Sequence, residues 1–212
     1  MTRYDCASPD ERTAGLDAAA AAVSAGSLVV LPTDTVYGIG ADAFSPAAVD
    51  ALLAAKGRGR AMPSPVLIGR RETLAGLVSR IPPAAHELVD AFWPGALTIV
   101  VRHAPSLAWD LGETRGTVAV RMPLHPLALE LLERTGPMAV SSANRSGAEP
   151  ATTAAEAERQ LGGAVAVYLD GGPCEGPVPS TIVDCTGDVP RVLRAGALPP
   201  ERLREVVPAL VG

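Results

Sequence analysis

Four cations and four uncharged hydrogen-bonding side chains raise the chemical question. Lys56 and Arg58 stand two positions apart in AKGRGR, Arg121 lies in VAVRMP, and Arg194 lies in RVLRAG. Thr35 in PTDTVYG, Ser142 and Asn144 in SSANRSG, and Ser180 in PSTIVD add hydroxyl and amide groups. Gathered at one crevice, so many cations beside hydroxyls and an amide suit a polyanion such as a nucleoside triphosphate. The usual phosphate loops are missing: GIGADA has GxG without a third glycine, and GxxxxGK[ST] does not occur. A triphosphate here must be held by side chains.

Each cluster also has a plainer reading. KGRGR reads equally as a helix end whose cations complement the dipole and whose glycines stop it. SSANRSG reads as a Ser/Asn turn, Arg121 as a solvated charge on an edge strand, and PTDT as a turn in which Asp34 caps backbone amides. Taken together the clusters lean towards a site, without naming a reaction.

The bulk composition narrows the partners. Hydrophobic residues make up 48% of the 212 and charged ones 19%, enough for a real core and against disorder. Aromatics are only 3%, so the core must be mainly Ala, Val, Leu and Ile. The net charge of −5 removes a bulk basic footprint for nucleic acid, though not a local patch. Cys6, Cys174 and Cys185 form no CxxC pair and read as reduced thiols; His86, His103 and His125 lack metal-ligand spacing. Acidic residues precede DAAAAAVSAGSLVVL where a signal peptide needs positive charge, and no apolar run reaches membrane-spanning length. The expectation is a soluble, cytoplasmic protein.

Punctuation and periodicity then place the clusters. Helices are expected at Asp10–Ala25 (capped by Ser8 or Asp10), Pro46–Lys56, Glu72–Arg80, Ala84–Phe92, His125–Arg134, Thr153–Leu161 (capped by Thr152 or Thr153) and Pro200–Val207. Strands are expected at Leu28–Leu31, Val66–Ile68, Leu97–Arg102, Thr117–Arg121, Met138–Ser141, Val165–Leu169, Ser180–Asp184 and Arg191–Arg194. Helices and strands alternate and then strands cluster, with no repeat or linker. One α/β domain over residues 1–212, with an open, twisted, mixed sheet, is expected. The polar clusters follow strand or helix ends, where ligand crevices of such sheets lie.

PTDTVYGIGADA, AKGRGR, FWPGALTIVV, VAVRMP, SSANRSG, PSTIVD and VLRAG, in that order, resemble the YrdC-like family of threonylcarbamoyl-AMP synthases. The likeness runs from about Leu28 to Ala197; the family's KxR falls on Lys56 and Arg58, its SxN on Ser142 and Asn144. It implies an α/β fold around a large concave cavity, and a nucleotidyl transfer. L-threonine, bicarbonate or CO2, and ATP would yield threonylcarbamoyl-adenylate and pyrophosphate. A separate transferase complex would use the product to make N6-threonylcarbamoyladenosine in tRNA, and a weak direct tRNA contact is left open. By the same resemblance, Thr35 meets threonine and Arg121 its carboxylate. Lys56, Arg58, Ser142, Asn144, Ser180 and Arg194 surround ATP, with Lys56 and Arg58 catalytic; Mg²⁺ comes with the nucleotide and no protein ligand is assigned to it.

Two departures stand out. Many members read KGRPxxxPLIVH, whereas this chain reads KGRGRAMPSPVLIG, so the family's proline becomes Gly59 and its frequent histidine becomes Gly69. The second bears on threonine binding, and the first makes Gly57–Pro65 a candidate mobile cover. Two other functions compete: a double-stranded RNA or tRNA-binding module without catalysis, and a nucleotide-binding paralogue making another carbamoyl product. The proposed chemistry suits the residues. A carbamate carboxylate attacking the α-phosphate needs alignment and cations more than proton transfer.

Overall fold

The computed structural model describes every residue except Glu175 and Pro177. Among the described residues, ten strands join in one mixed sheet: β1 (Thr2–Asp5), β2 (Val29–Leu31), β3 (Gly38–Asp42), β4 (Val66–Leu67), β5 (Leu97–Arg102), β6 (Thr117–Arg121), β7 (Met138–Ser142), β8 (Val167–Asp170), β9 (Thr181–Asp184) and β10 (Arg191–Arg194). Their spatial order is β1-β8-β2-β3-β7-β4-β6-β5-β9-β10. The helices are α1 (Pro9–Ser24), α2 (Pro46–Lys56), α3 (Thr73–Leu77), α4 (Pro83–Phe92), α5 (Pro126–Thr135), α6 (Ala154–Leu161) and α7 (Pro200–Val206). The expected open α/β sheet with flanking helices is the observed architecture. No helix among the described residues is long and apolar enough to cross a membrane.

Side chains alternate across a strand, so each strand feeds two layers. Val30, Ile39, Val66, Ile99 and Val120 enter one core with Leu52 of α2 and Leu88 of α4. Leu31, Leu67, Val140 and Leu169 enter a second core with Leu16 of α1 and Leu131 of α5. The second face is covered unevenly. Leu67 pairs with Arg121, Ala119 with Val100, and Thr98 with Ile182, so these residues share the face of α1 and α5. Val100, Ala119 and Ile182 nevertheless stay only half-buried. Helices cover the β1–β7 side of this face and leave the β6-β5-β9-β10 side open, which makes the concavity.

Several expectations change. β1 was not expected: TRYD is short and polar, and it forms by parallel pairing with β8. β3 was not expected either, because glycines weaken a strand. Here a Cβ on Gly38 would come within 2.6 Å of Val140 and one on Gly40 within 2.6 Å of Met138, so their absence lets β7 pack close. α3 is shorter than expected, since Val78 leaves the helix to bridge His103. Ser8 occupies the N-cap of α1 but makes no side-chain cap bond, whereas Thr153 caps α6 by accepting from Glu156 N at 3.2 Å. Arg121 is no edge-strand charge: β6 lies between β4 and β5, and the residue is 6% exposed.

Candidate functional site

A cavity of about 400 Å³ opens on the half-covered face. Val100, Ala119 and Ile182 form an apolar floor, and Pro63, Pro65, Pro150 and Pro179 stand among its walls. Arg58, Arg121 and Arg194 reach it from three separate elements, beside Thr35, Ser142 and Ser180. No aspartate or glutamate lines it among the described residues.

The cations arrive by different local means. α2 ends in a left-handed Gly57 (φ 62), and the amides of Gly57 and Arg58 bond back to Ala54 O and Leu53 O. Lys56, one turn after Leu52 on the buried face of α2, already points inward, and the reversal after it sends Arg58 to the cavity. Arg58 Nη1 donates to Ser141 Oγ at 3.1 Å, while its Nε is buried without a partner and burial lowers its pKa. Arg194 donates Nε and Nη2 to Ser180 O at 3.1 and 2.7 Å. Ser180 Oγ in turn pairs with Thr98 Oγ1 at 2.8 Å, joining β9, β10 and β5 behind the arginine.

Arg121 is fixed on three sides. Its Nε donates to Gly95 O at 2.9 Å, Nη1 to Thr35 Oγ1 at 2.9 Å, and Nη2 to Asp34 Oδ1 at 2.6 Å. The WPGA turn is what delivers the Gly95 carbonyl, anchored by Gly95 N to Met122 O at 2.8 Å. Thr35 is itself held by Thr33, whose Oγ1 lies 3.0 Å away and also donates to Val36 O at 2.6 Å. Tyr37 pins the whole segment after β2, donating to Gly172 O at 2.6 Å and accepting from Gly171 N at 3.1 Å.

Lys56 and Asn144 stand behind the wall and do not line the cavity. Lys56 is 3% exposed, and its ammonium donates to Ser142 O, to Asn144 O at 2.8 Å and to Asn144 Oδ1 at 3.4 Å. Asn144 Nδ2 donates to Arg145 O and Ala148 O. The two side chains thereby tie the loop after β7 to the end of α2. Burial, with Arg58 nearby, pushes the Lys56 pKa down to about 8.

The structure thus brings Thr35, Arg58, Arg121, Ser142, Ser180 and Arg194 to one cavity and sets Lys56 and Asn144 behind it. Sequence reasoning did not name Ser141, Thr98 and Gly95 as site residues, although they hold the site arginines or their partners; the signals were present, Ser141 in SSANRSG and Gly95 and Thr98 in FWPGALTIVV. Gly69 lies off the cavity, where a Cβ would meet Leu132 and Glu133 of α5 at 3.0 Å, so a histidine has no room there unless α5 shifts. The Gly57–Pro65 segment is tethered: Arg60 pairs with Asp50 of α2 and with Asp110, and Glu113 N donates to Arg60 O at 2.9 Å. No group of three or more His, Cys, Asp or Glu among the described residues is placed to hold a metal. The three cysteines are free thiols; burial pushes Cys6 to about 11 and Cys185 to about 12, and raises Cys174.

An open mixed sheet with an arginine-walled cleft on its half-covered face is the class that fold and site define. The chain belongs to the Sua5/YciO/YrdC family, whose model, described as "Telomere recombination", matches residues 21–196. A protein of Mycobacterium tuberculosis, provisionally named threonylcarbamoyl-AMP synthase, is 60% identical over 204 residues, covering 96% of this chain and 94% of its own. The threonylcarbamoyl-AMP synthase of Bacillus subtilis is 41% identical over 192 residues, covering 89% of this chain and 55% of its own. The crystal structure of P. abyssi Sua5 complexed with L-threonine superposes with a TM-score of 0.88 at 38% identity, covering 93% of this chain and 58% of that one. The chain therefore spans a little over half the length of the latter two.

Proposed function

We propose that this protein is a threonylcarbamoyl-AMP synthase, joining L-threonine, bicarbonate and ATP into threonylcarbamoyl-adenylate, pyrophosphate and water. The observation that carries the reading is the cavity's charge: three arginines, an apolar floor and no carboxylate on its wall among the described residues. Such a site favours anions on entry and stabilises the negative charge that shifts to the leaving pyrophosphate. The names of the relatives supply the reaction, and the threonine complex of the Pyrococcus protein supports the first substrate.

In this reading Arg121 takes the threonine carboxylate and Thr35 the adjoining part of the amino acid. Arg58, Ser142, Ser180 and Arg194 hold the nucleotide and its phosphates. Lys56 and Asn144 contribute through the loop that presents Ser142. The nucleotide enters as its Mg²⁺ complex, with the metal carried by phosphate oxygens and water, since no carboxylate among the described residues faces the cavity. The product, a mixed anhydride, passes to a transferase complex that modifies tRNA, and the setting is cytoplasmic.

The test is pyrophosphate release from ATP, Mg²⁺ and bicarbonate, with and without threonine. Release should depend on threonine, and Lys56→Ala and Arg58→Ala should each lower turnover at least about tenfold, roughly 1.4 kcal/mol. Release independent of threonine would sink the reading.

A further inference from the structure

Among the described residues, Asp34 is the acidic group in direct contact with Arg121, and it lies outside the cavity between two residues, Thr33 and Thr35, that line it. Its Oδ1 accepts from Arg121 Nη2 at 2.6 Å and from Leu124 N at 2.8 Å, in the turn that follows β6. The two side chains are 14% and 8% exposed. A guanidinium has five N–H donors in one rigid plane. Gly95 O, Thr35 Oγ1 and Asp34 Oδ1 occupy one donor on each nitrogen, which leaves one on each terminal nitrogen. One free donor on each terminal nitrogen gives two N–H groups with which a carboxylate's two oxygens can pair. The Gly95 and Thr35 acceptors are neutral, so Asp34 alone among these three contacts supplies the charge that keeps a nearly buried guanidinium in place.

We propose that Asp34 is a positioning residue: it holds Arg121 so that its two remaining terminal N–H groups meet the carboxylate of the amino-acid substrate. This rests on the reading that Arg121 binds threonine. Asp34 never touches substrate, and its effect is therefore confined to the half of the cavity that Arg121 serves. Arg194 and Ser180, tied to each other and to Thr98, do not depend on it.

The experiment compares wild type with Asp34→Asn and Asp34→Glu. Asparagine keeps an acceptor for Leu124 N and removes the charge. Glutamate keeps the charge but displaces it by one methylene. Threonine KM should rise at least tenfold in Asp34→Asn and at least threefold in Asp34→Glu, with ATP KM within about twofold of wild type. In a ¹⁵N-resolved spectrum, the Arg121 Nε–H resonance, assigned by its loss in Arg121→Lys, should exchange faster with water in Asp34→Asn. A residue that merely stabilised the fold would move both KM values together. Unchanged threonine KM, or equal rises for both substrates, overturns the proposal. Should Asp34→Asn fail to fold, wild-type threonine KM in Asp34→Glu overturns it just as well. If wild-type pyrophosphate release proves independent of threonine, the functional reading fails, and the resonance alone decides: unaltered exchange in Asp34→Asn then overturns the positioning role.

Discussion

Lys56 and Arg58 are two positions apart, yet they do different things because a glycine separates them. Lys56 points into the protein because it follows Leu52 by one helical turn on the buried face of α2; the left-handed Gly57 then ends the helix and lets Arg58 reach the cavity. Among the described residues Lys56 has no carboxylate within hydrogen-bond reach, only carbonyl oxygens. Its folded pKa of about 8 lies below the ordinary 10.5, so between those values the unfolded chain holds more protons than the folded one. Stability contributed by Lys56 therefore rises with pH across that window, and the full cost of burying its charge applies below about pH 8. Measured by chemical denaturation, the stability of wild type relative to Lys56→Met should climb by about 1–3 kcal/mol from pH 7.5 to 10.5. A flat difference would show that the ammonium is not strained by burial. The pair Lys56 and Arg58 was legible in the sequence as a cluster of cations. Their division of labour was not, since it depends on a loop more than 80 residues further along the chain.

At the level of elements, the glycines separate the tight places from the open ones. A Cβ on Gly196 would meet the backbone of Ser180 at 2.6 Å, whereas one on Gly59 finds no atom within 4 Å. Gly196 also donates to Thr181 Oγ1 at 3.0 Å, so it sets the distance between the end of β10 and the start of β9. Gly196→Ala should cost about 1–3 kcal/mol and raise ATP KM by moving Ser180 and Arg194; Gly59→Ala should leave stability within about 0.5 kcal/mol. Denaturation curves and initial rates for the two variants check this, and equal effects would contradict it. Most helices and the long apolar strands could be read from periodicity and punctuation. β3 could not, because its two glycines look like a loop until Val140 and Met138 are seen to fill the space beside them. Asp34 looked like a turn cap for the same kind of reason: its partners, Arg121 and Leu124 N, lie 87 and 90 residues away.

Across the whole molecule, the two cores are built on the same strands. Neighbouring residues of β2 and β4 point into opposite layers, Val30 against Leu31 and Val66 against Leu67. Neither layer can come apart without unpairing the sheet that serves the other. Thermal or denaturant unfolding should therefore be one cooperative transition. Tryptophan fluorescence, which reports only the layer holding Trp93 and Trp109, should coincide with helical circular dichroism, to which α1 and α5 of the other layer contribute. Two separated midpoints would mean the layers melt independently. The burial of the native thiols has a practical sequel. Cys6 and Cys185, with pKa values near 11 and 12, carry almost no thiolate at neutral pH, and Cys174 is shifted the same way. Met62, 49% exposed on the segment between Arg58 and the prolines of the cavity wall, is a contrasting address. A cysteine introduced there would outpace the native three towards maleimides, so a single fluorophore could be attached beside the cleft without first stripping the protein of its own sulfur.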